Sequence, residues 1–239
     1  MKAVVILSGG LDSTILTYKV VNELGAGNVT ALSFNYGQKQ ALELERAAIT
    51  CKRLNIVQNV IDLRFMAPLL SNVCANISGS TIDVPDVEDI LGNPQPVTYV
   101  PNRNALMLNI AISVAEALGA QLVYIGLQCH DLYGYWDTTP QFVEAINNVS
   151  RLNREHKIAV VAPFINMSKA DELKIGEQLH VPYGDTWTCY DPVQRTYHTP
   201  EQAITEPKPV LACGKCGSCA ERLRAFEHLG LTDPLEYAK

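Results

Sequence analysis

Apolar runs rich in β-branched residues recur along the chain at Ala3–Leu7, Val29–Phe34, Val57–Leu63, Gln121–Leu127 and Ile158–Ala162. Their length and composition predict strands. Segments of helical periodicity alternate with them at Ser13–Leu24, Gln38–Asn55, Asn104–Leu118, Pro140–Glu155 and Ser168–Leu179. Strands that alternate with helices make βαβ units, so the pattern predicts an α/β fold with a doubly wound parallel sheet. In the second helix Leu42, Glu45, Ile49 and Lys52 give the mixed faces of a helix lying on a sheet, and Ala41, Leu44, Ala47 and Ala48 are expected to be buried. Gly25, Gly27 and Gly119 fall just past helix ends, where a left-handed cap is needed.

Two stretches break the alternation. Between Met66 and Val100 the residues Pro68, Pro85, Pro94 and Pro96, with Asp83, Asp86, Glu88 and Asp89, predict an irregular excursion over the carboxyl edge of the sheet, either a lid or a long loop. After Val181 proline, glycine and cysteine become frequent before a last helical stretch, Ala220–Leu229. This divides the chain into a main α/β domain over 1–180 and a cysteine-bearing segment over 181–239. A length of 239 residues at 47 % hydrophobic is enough for a full core.

Charge and the amino end narrow the function classes. The apolar start of the chain gives way to Ser8 and Gly9, too short a run for a signal-peptide core or a membrane span, so a cytoplasmic protein without a membrane partner is expected. The formal net charge is −6, which offers no broad basic surface and disfavours nucleic acid as a partner.

Ser8-Gly9-Gly10-Leu11-Asp12-Ser13 follows the first strand and opens the first helix. Glycines there let backbone N–H groups approach an anion, and the helix N-terminus adds partial positive charge, so the loop is expected to hold phosphate. A plain strand-to-helix turn capped by Asp12 or Ser13 is the alternative. The loop lacks the Gly-Lys-Ser/Thr of a Walker motif and the spaced glycines of a dinucleotide fingerprint. Of the 7 cysteines, Cys51, Cys74 and Cys129 are scattered and read as small core residues. Cys213, Cys216 and Cys219 stand at intervals of three with Cys189 upstream. Four thiolates suit closed tetrahedral zinc of structural role, with Gly214 and Gly217 allowing the sulfurs to converge.

The loop resembles the PP-loop of the adenine nucleotide α-hydrolase-like superfamily. That resemblance implies ATP as substrate, pyrophosphate held by Ser8, Gly9, Gly10, Leu11 and Ser13, Mg²⁺ fixed with the help of Asp12, and a catalytic lysine at Lys169 in Met167-Ser168-Lys169-Ala170-Asp171. Some tRNA-thiolating members carry an iron–sulfur cluster, the competing reading of the thiols. Further motifs follow in order: Ser33-Phe34-Asn35-Tyr36-Gly37-Gln38, Tyr99-Val100-Pro101-Asn102-Arg103-Asn104, then Asp131, Gly134-Tyr135 and Asp137, then Thr186-Trp187-Thr188-Cys189-Tyr190. Over nearly the whole chain they are similar to the 7-cyano-7-deazaguanine synthase (QueC) family.

Membership would imply a ligase that turns 7-carboxy-7-deazaguanine into an amide and then a nitrile, with ammonia as nitrogen donor and ATP driving both steps. It implies Phe34 and Tyr36 beside the nucleotide base, Arg103 as a catalytic cation for phosphate or substrate carboxylate, and Asn102, Asn104, Asp131, Tyr135 and Asp137 toward the deazapurine. A homodimer is implied as well. The chain departs from the family's usual Asp-x-Ser-Gly-Tyr-Pro-Asp-Cys-Arg, reading Asp131-Leu132-Tyr133-Gly134-Tyr135-Trp136-Asp137-Thr138-Thr139, and it lacks the Arg-His that usually follows Gln38. These departures keep open a paralogue that stops at the amide or joins the carboxyl to another amine, a protein acceptor included. A tRNA-modifying PP-loop enzyme and a nucleotide-binding module without catalysis are the more distant alternatives.

Overall fold

The structure, a computed structural model, describes residues 1–90, 93, 95–128, 135–194 and 210–238. Its sheet has five parallel strands in the order β3-β2-β1-β4-β5. They are β1 (Ala3–Ile6), β2 (Val29–Asn35), β3 (Val57–Asp62), β4 (Leu122–Tyr124) and β5 (Ala159–Val161). The helices are α1 (Leu11–Leu24), α2 (Leu42–Leu54), α3 (Ala67–Leu70), α4 (Val87–Ile90), α5 (Arg103–Leu118), α6 (Pro140–Ser150), α7 (Lys169–Gln178) and α8 (Gly217–His228). A short antiparallel pair, β6 (Val193–Gln194) and β7 (Val210–Leu211), lies near the carboxyl end.

Strand periodicity explains why β1 is apolar at every position. Val4 and Ile6 point into a core shared with Met107, Leu108 and Ala111 of α5 and Phe142 of α6. Ala3 and Val5 point into a second core with Ile15 and Leu16 of α1, Ala47 of α2, Leu173 of α7 and Phe226 of α8. A central parallel strand is covered on both faces, so alternation disappears from its sequence. The order reverses between β1 and β4, and such a switch point opens a crevice at the strands' carboxyl ends.

Local chemistry moves several element ends. The α2 helix begins at Leu42 rather than Gln38, because Gly37 takes φ 80° and the Gln38 amide folds back onto Tyr36 N (3.0 Å) and Phe34 O (3.1 Å). Its buried face is also turned from the expected one. Glu43, Ala47, Thr50 and Cys51 are buried, while Ala41 and Ala48 are exposed and Leu44 is only partly covered. The α6 helix stops at Ser150, and Asn153 closes the following turn by accepting from Glu155 N and His156 N. The α8 helix starts at Gly217, which places Cys219 in its first turn. Gly119 adopts the expected left-handed cap and Gly25 a positive φ, but Gly27 lies inside a short 3₁₀ turn, Ala26–Asn28, without one. Among the described residues no helix is long and apolar enough to cross a membrane.

The excursion after Met66 is packed down in its described part. Cys74, Ala75 and Ile77 are buried, Ile77 bridges to Gln38, and Asp86 bridges to Cys216. Cys51 and Cys74 are buried and free, as expected, and Cys129 lies outside the described residues.

Candidate active site

At the switch point the turn Ser8–Gly10 feeds straight into α1, whose N-cap is Gly10 with no side chain capping it. Ser8 and Ser13 instead bond each other (Oγ···Oγ 2.9 Å) and brace the turn through Ser8 N to Ser13 Oγ (3.2 Å) and Gly10 N to Ser8 Oγ (3.1 Å). Gly9 needs its missing side chain twice over: φ is 93°, and a Cβ would stand 1.9 Å from the Glu43 carbonyl oxygen. Gly126, just past β4, passes close to the same turn, a Cβ there lying 3.4 Å from Asp12 C and Ser13 N. That approach fits β4 ending at Tyr124 instead of continuing to Leu127.

Lys169, the first residue of α7, reaches back across the cleft. The helix start is fixed by a capping box between Ser168 and Asp171. From there the Lys169 ammonium donates to both Asp12 oxygens at 2.9 Å, with side-chain exposures of 11 % for Lys169 and 28 % for Asp12. Behind this pair the fully buried Glu172 accepts from the Gln128 amide. Burial, and then the Asp12 charge, hold Glu172 well above the usual carboxylate range.

A cavity of about 220 Å³ opens onto this turn. Ser8, Gly10, Asp12 and Ser13 form one wall with Lys169; Phe34, Met107 and Ile125 give it an apolar side; Arg103 and Asn104 enter from the start of α5. Arg103 donates to the Tyr36 hydroxyl (3.2 Å) and lies over its ring at 5.8 Å. Burial works against the Arg103 charge, yet a guanidinium keeps its proton in a protein, and the Tyr36 hydroxyl accepts a hydrogen bond from it. Thr188, Tyr190, Ser218 and Glu221 complete the wall, so the carboxyl-terminal segment is part of the site. Trp187 N–H donates to Gly9 O at 3.0 Å and ties that segment directly to the turn.

Beneath this wall the sulfurs of Cys189, Cys213, Cys216 and Cys219 are all buried and lie within 4.8 Å of one another. Cys213 and Cys219 stand 3.9 Å apart, close to the edge of about 3.8 Å that metal–sulfur bonds of about 2.3 Å give a tetrahedron. Cys213 N and Cys216 N donate to Cys189 Sγ (3.2 Å) and Cys213 Sγ (3.3 Å), bonds that favour thiolates. The cluster can hold a metal ion. Gly214 has the positive φ the knuckle requires, whereas Gly217 simply begins α8.

Comparison with known proteins agrees with this geometry. The family model described as "Queuosine biosynthesis protein QueC" matches residues 2–230. The chain belongs to the QueC family. Relatives named 7-cyano-7-deazaguanine synthase include that of Marinomonas sp., 41 % identical over 99 % of this chain and 98 % of its own length. The one from Koribacter versatilis is 39 % identical over 99 % of this chain and 93 % of the relative. That from Nostoc sp. is 37 % identical over 100 % of this chain and 98 % of the relative. As a member of the family, the chain is an enzyme of the carbon–nitrogen ligase type.

Most of the residues singled out from the sequence converge on the cavity: Ser8, Gly10, Leu11, Asp12, Ser13, Phe34, Tyr36, Arg103, Asn104, Tyr135 and Lys169 line it. Gly9 is packed behind the turn against α2. Asn102 stands exposed outside the lining, with a left-handed φ of 55° and its N–H on the Tyr99 hydroxyl. Asp137 is buried beside the lining, and its carbonyl accepts from Asn104 Nδ2 at 3.1 Å. Asp131 falls outside the described residues. Sequence reading missed Glu43 and Gln128 on the cavity wall and Glu172 behind it. Glu43 carried no local signal, since a charged residue in an amphipathic helix is ordinarily solvated.

Proposed function

We propose that the chain converts 7-carboxy-7-deazaguanine to 7-cyano-7-deazaguanine, with ATP activating the carboxyl as an acyl-adenylate and ammonia displacing AMP. A second activation takes the resulting amide to the nitrile. The observation that carries this reading is the single cavity that joins the phosphate-type turn, Lys169 and Arg103. The names of the relatives at 37–41 % identity supply the product, 7-cyano-7-deazaguanine, and the family resemblance supplies the carboxylate it is made from.

In this reading the free N–H groups at the start of α1 and the Ser8–Ser13 turn bind the β and γ phosphates. Lys169 balances the charge that grows on pyrophosphate as it leaves, the step at which preorganised charge counts most. Asp12 offers hard carboxylate oxygens of the kind Mg²⁺ prefers, and a bound ion would add positive charge at the phosphates. Phe34 and Met107 suit one face of the adenine ring. Arg103, held cationic and steered by Tyr36, presents a fork suited to the substrate carboxylate, with Asn104 and Tyr135 beside it and Asp131 and Asp137 as acceptors for the guanine-like edge. The four thiols are assigned to zinc of structural role, because a closed set has no open ligand position. Holding them reduced fits a cytoplasmic setting, and the 181–239 segment then acts as a metal-braced wall on the 1–180 domain. A homodimer belongs to the proposal too, and Phe65, Leu69 and Val73 are exposed apolar side chains available for it.

The departures around Tyr135 are better explained as packing than as a dock for a larger amine. Trp136 is 47 % exposed, yet its indole N–H is bonded to the Tyr99 hydroxyl (2.9 Å) and its ring meets Phe142 edge-on at 5.5 Å. The deciding experiment incubates the chain with ATP, Mg²⁺, ammonia and 7-carboxy-7-deazaguanine and weighs the product. Nitrile with AMP release is expected. Accumulation of amide, or ATP retained without turnover, overturns the reading.

A further inference from the structure

Two carboxyls on the cavity wall, Glu43 and Glu221, have no part in the roles above, and Glu43 is the one beside the phosphate-type turn. Glu43 sits in the first turn of α2, only 9 % exposed, and lines the cavity. Its position is imposed by the phosphate-type turn. The backbone of Gly9 lies so close to Glu43 O that no side chain fits between them, and a Cβ on Gly10 would be 3.8 Å from Glu43 Oε1. Among the described residues no hydrogen bond or ion pair engages the Glu43 carboxyl. The charged groups that act on it are Arg103 from the start of α5 and Asp12 from the start of α1. The side chain thus lies beside the turn and within the electrostatic reach of Arg103, which the functional reading gives to the phosphates and the substrate carboxylate.

Resting on that reading, we propose that Glu43 is the general base of the amide-forming step, taking the surplus proton from the attacking nitrogen. The nitrogen of neutral ammonia forms a bond to the acyl carbon. The bond from that carbon to the adenylate oxygen breaks, AMP leaves with the electron pair, and one N–H proton passes to the Glu43 carboxylate. Amide, AMP and a protonated Glu43 result, with charge and atoms balanced. Of the other carboxyls lining the cavity, Asp12 is held by Lys169 and Glu221 belongs to the α8 wall, and among the described residues no histidine lines it. A base works best when its pKa lies near the working pH. Burial pushes Glu43 up to about 8, with Arg103 opposing and Asp12 adding to the shift.

The test separates adenylation from amination in the metal-loaded protein. ATP–pyrophosphate exchange with 7-carboxy-7-deazaguanine, without ammonia, reads adenylation alone. Glu43→Gln is expected to keep exchange within about threefold of wild type while amide formation falls about 100-fold or more, the usual effect of a lost general base. With hydroxylamine as nucleophile, the wild-type rate rises with pH through about 8, and that limb is absent in Glu43→Gln and restored in part by Glu43→Asp. Equal loss of exchange and amination makes Glu43 a binding or structural residue and overturns the proposal. So does the same selective loss in Glu221→Gln with Glu43→Gln unaffected. No exchange in the wild-type chain overturns the functional reading itself, and the base with it.

Discussion

Arg222 joins the thiol-bearing segment to the rest of the molecule, and its removal has a calculable consequence. Its side chain is 0 % exposed, and it pairs with Asp233 through Nε (2.7 Å) and Nη2 (2.9 Å). The remaining donors reach Thr186 Oγ1 (2.6 Å), Thr188 Oγ1 (3.1 Å) and Tyr183 O (3.1 Å), and the guanidinium lies over Phe226 at 5.4 Å. Arg222→Ala leaves the Asp233 charge buried without a cation. Breaking such a pair typically costs about 3–5 kcal/mol. Tyr237 OH (2.6 Å) and Leu235 N (3.0 Å) still donate to Asp233, which places the expected loss at about 3 kcal/mol, the low end of that range. For a chain of this size that is a fall in Tm of roughly 6–12 °C. The assay is thermal and urea unfolding of metal-loaded Arg222→Ala, Asp233→Ala and the double variant at one protein and zinc concentration. The double variant should lose less than the sum of the singles by about 1–3 kcal/mol. Because Thr186 and Thr188 flank Trp187, whose N–H holds Gly9, ATP affinity should fall as well. Arg222→Ala within about 1 kcal/mol of wild type would refute the argument, since the pair would then be no more than a surface bridge.

Gly9→Ala, with its Cβ forced to 1.9 Å from Glu43 O, should abolish nucleotide binding by calorimetry, whereas Gly27→Ala, with nothing within 4 Å, should bind normally. Cys216→Ser should drop bound zinc well below the one ion per chain expected from elemental analysis, and should lower the yield of folded protein. Native Glu43 stays protonated up to about 8, while the unfolded chain releases that proton near 4.5, so this group costs the wild type stability as pH rises between those values. Urea unfolding should therefore show Glu43→Gln gaining on the wild type across that window, and a pH-independent difference would remove the case for a buried acid there. Lys169→Ala should lower turnover far more than stability, measured by AMP release alongside Tm, because its partner Asp12 keeps access to water.

The sequence by itself determined the layers of the fold and two of its chemical centres. Apolar runs that alternate with amphipathic stretches have few other ways to bury themselves, so the parallel sheet was legible from periodicity. The Ser8–Ser13 turn and the spaced cysteines were legible because each is local, its chemistry set by neighbours within a few residues. The strand order was not written locally, and with it went the knowledge that β1 and β4 flank the crevice. Glu43 is the clearest case: helical phase alone pointed Ala41, Leu44 and Ala48 inward, yet the turn at Gly37 and the contact with Gly9 rotate the acid into the cavity instead. Glu172 and Gln128, separated by 44 positions, form a pair only because α7 crosses behind the end of β4. The same holds for Asp12 and Lys169, separated by 157 positions, and for Trp187 on Gly9. Local sequence fixes which way a side chain faces on its own helix or strand, whereas the meeting of two remote elements is decided by how the sheet closes its two cores, and that is a property of the packed chain.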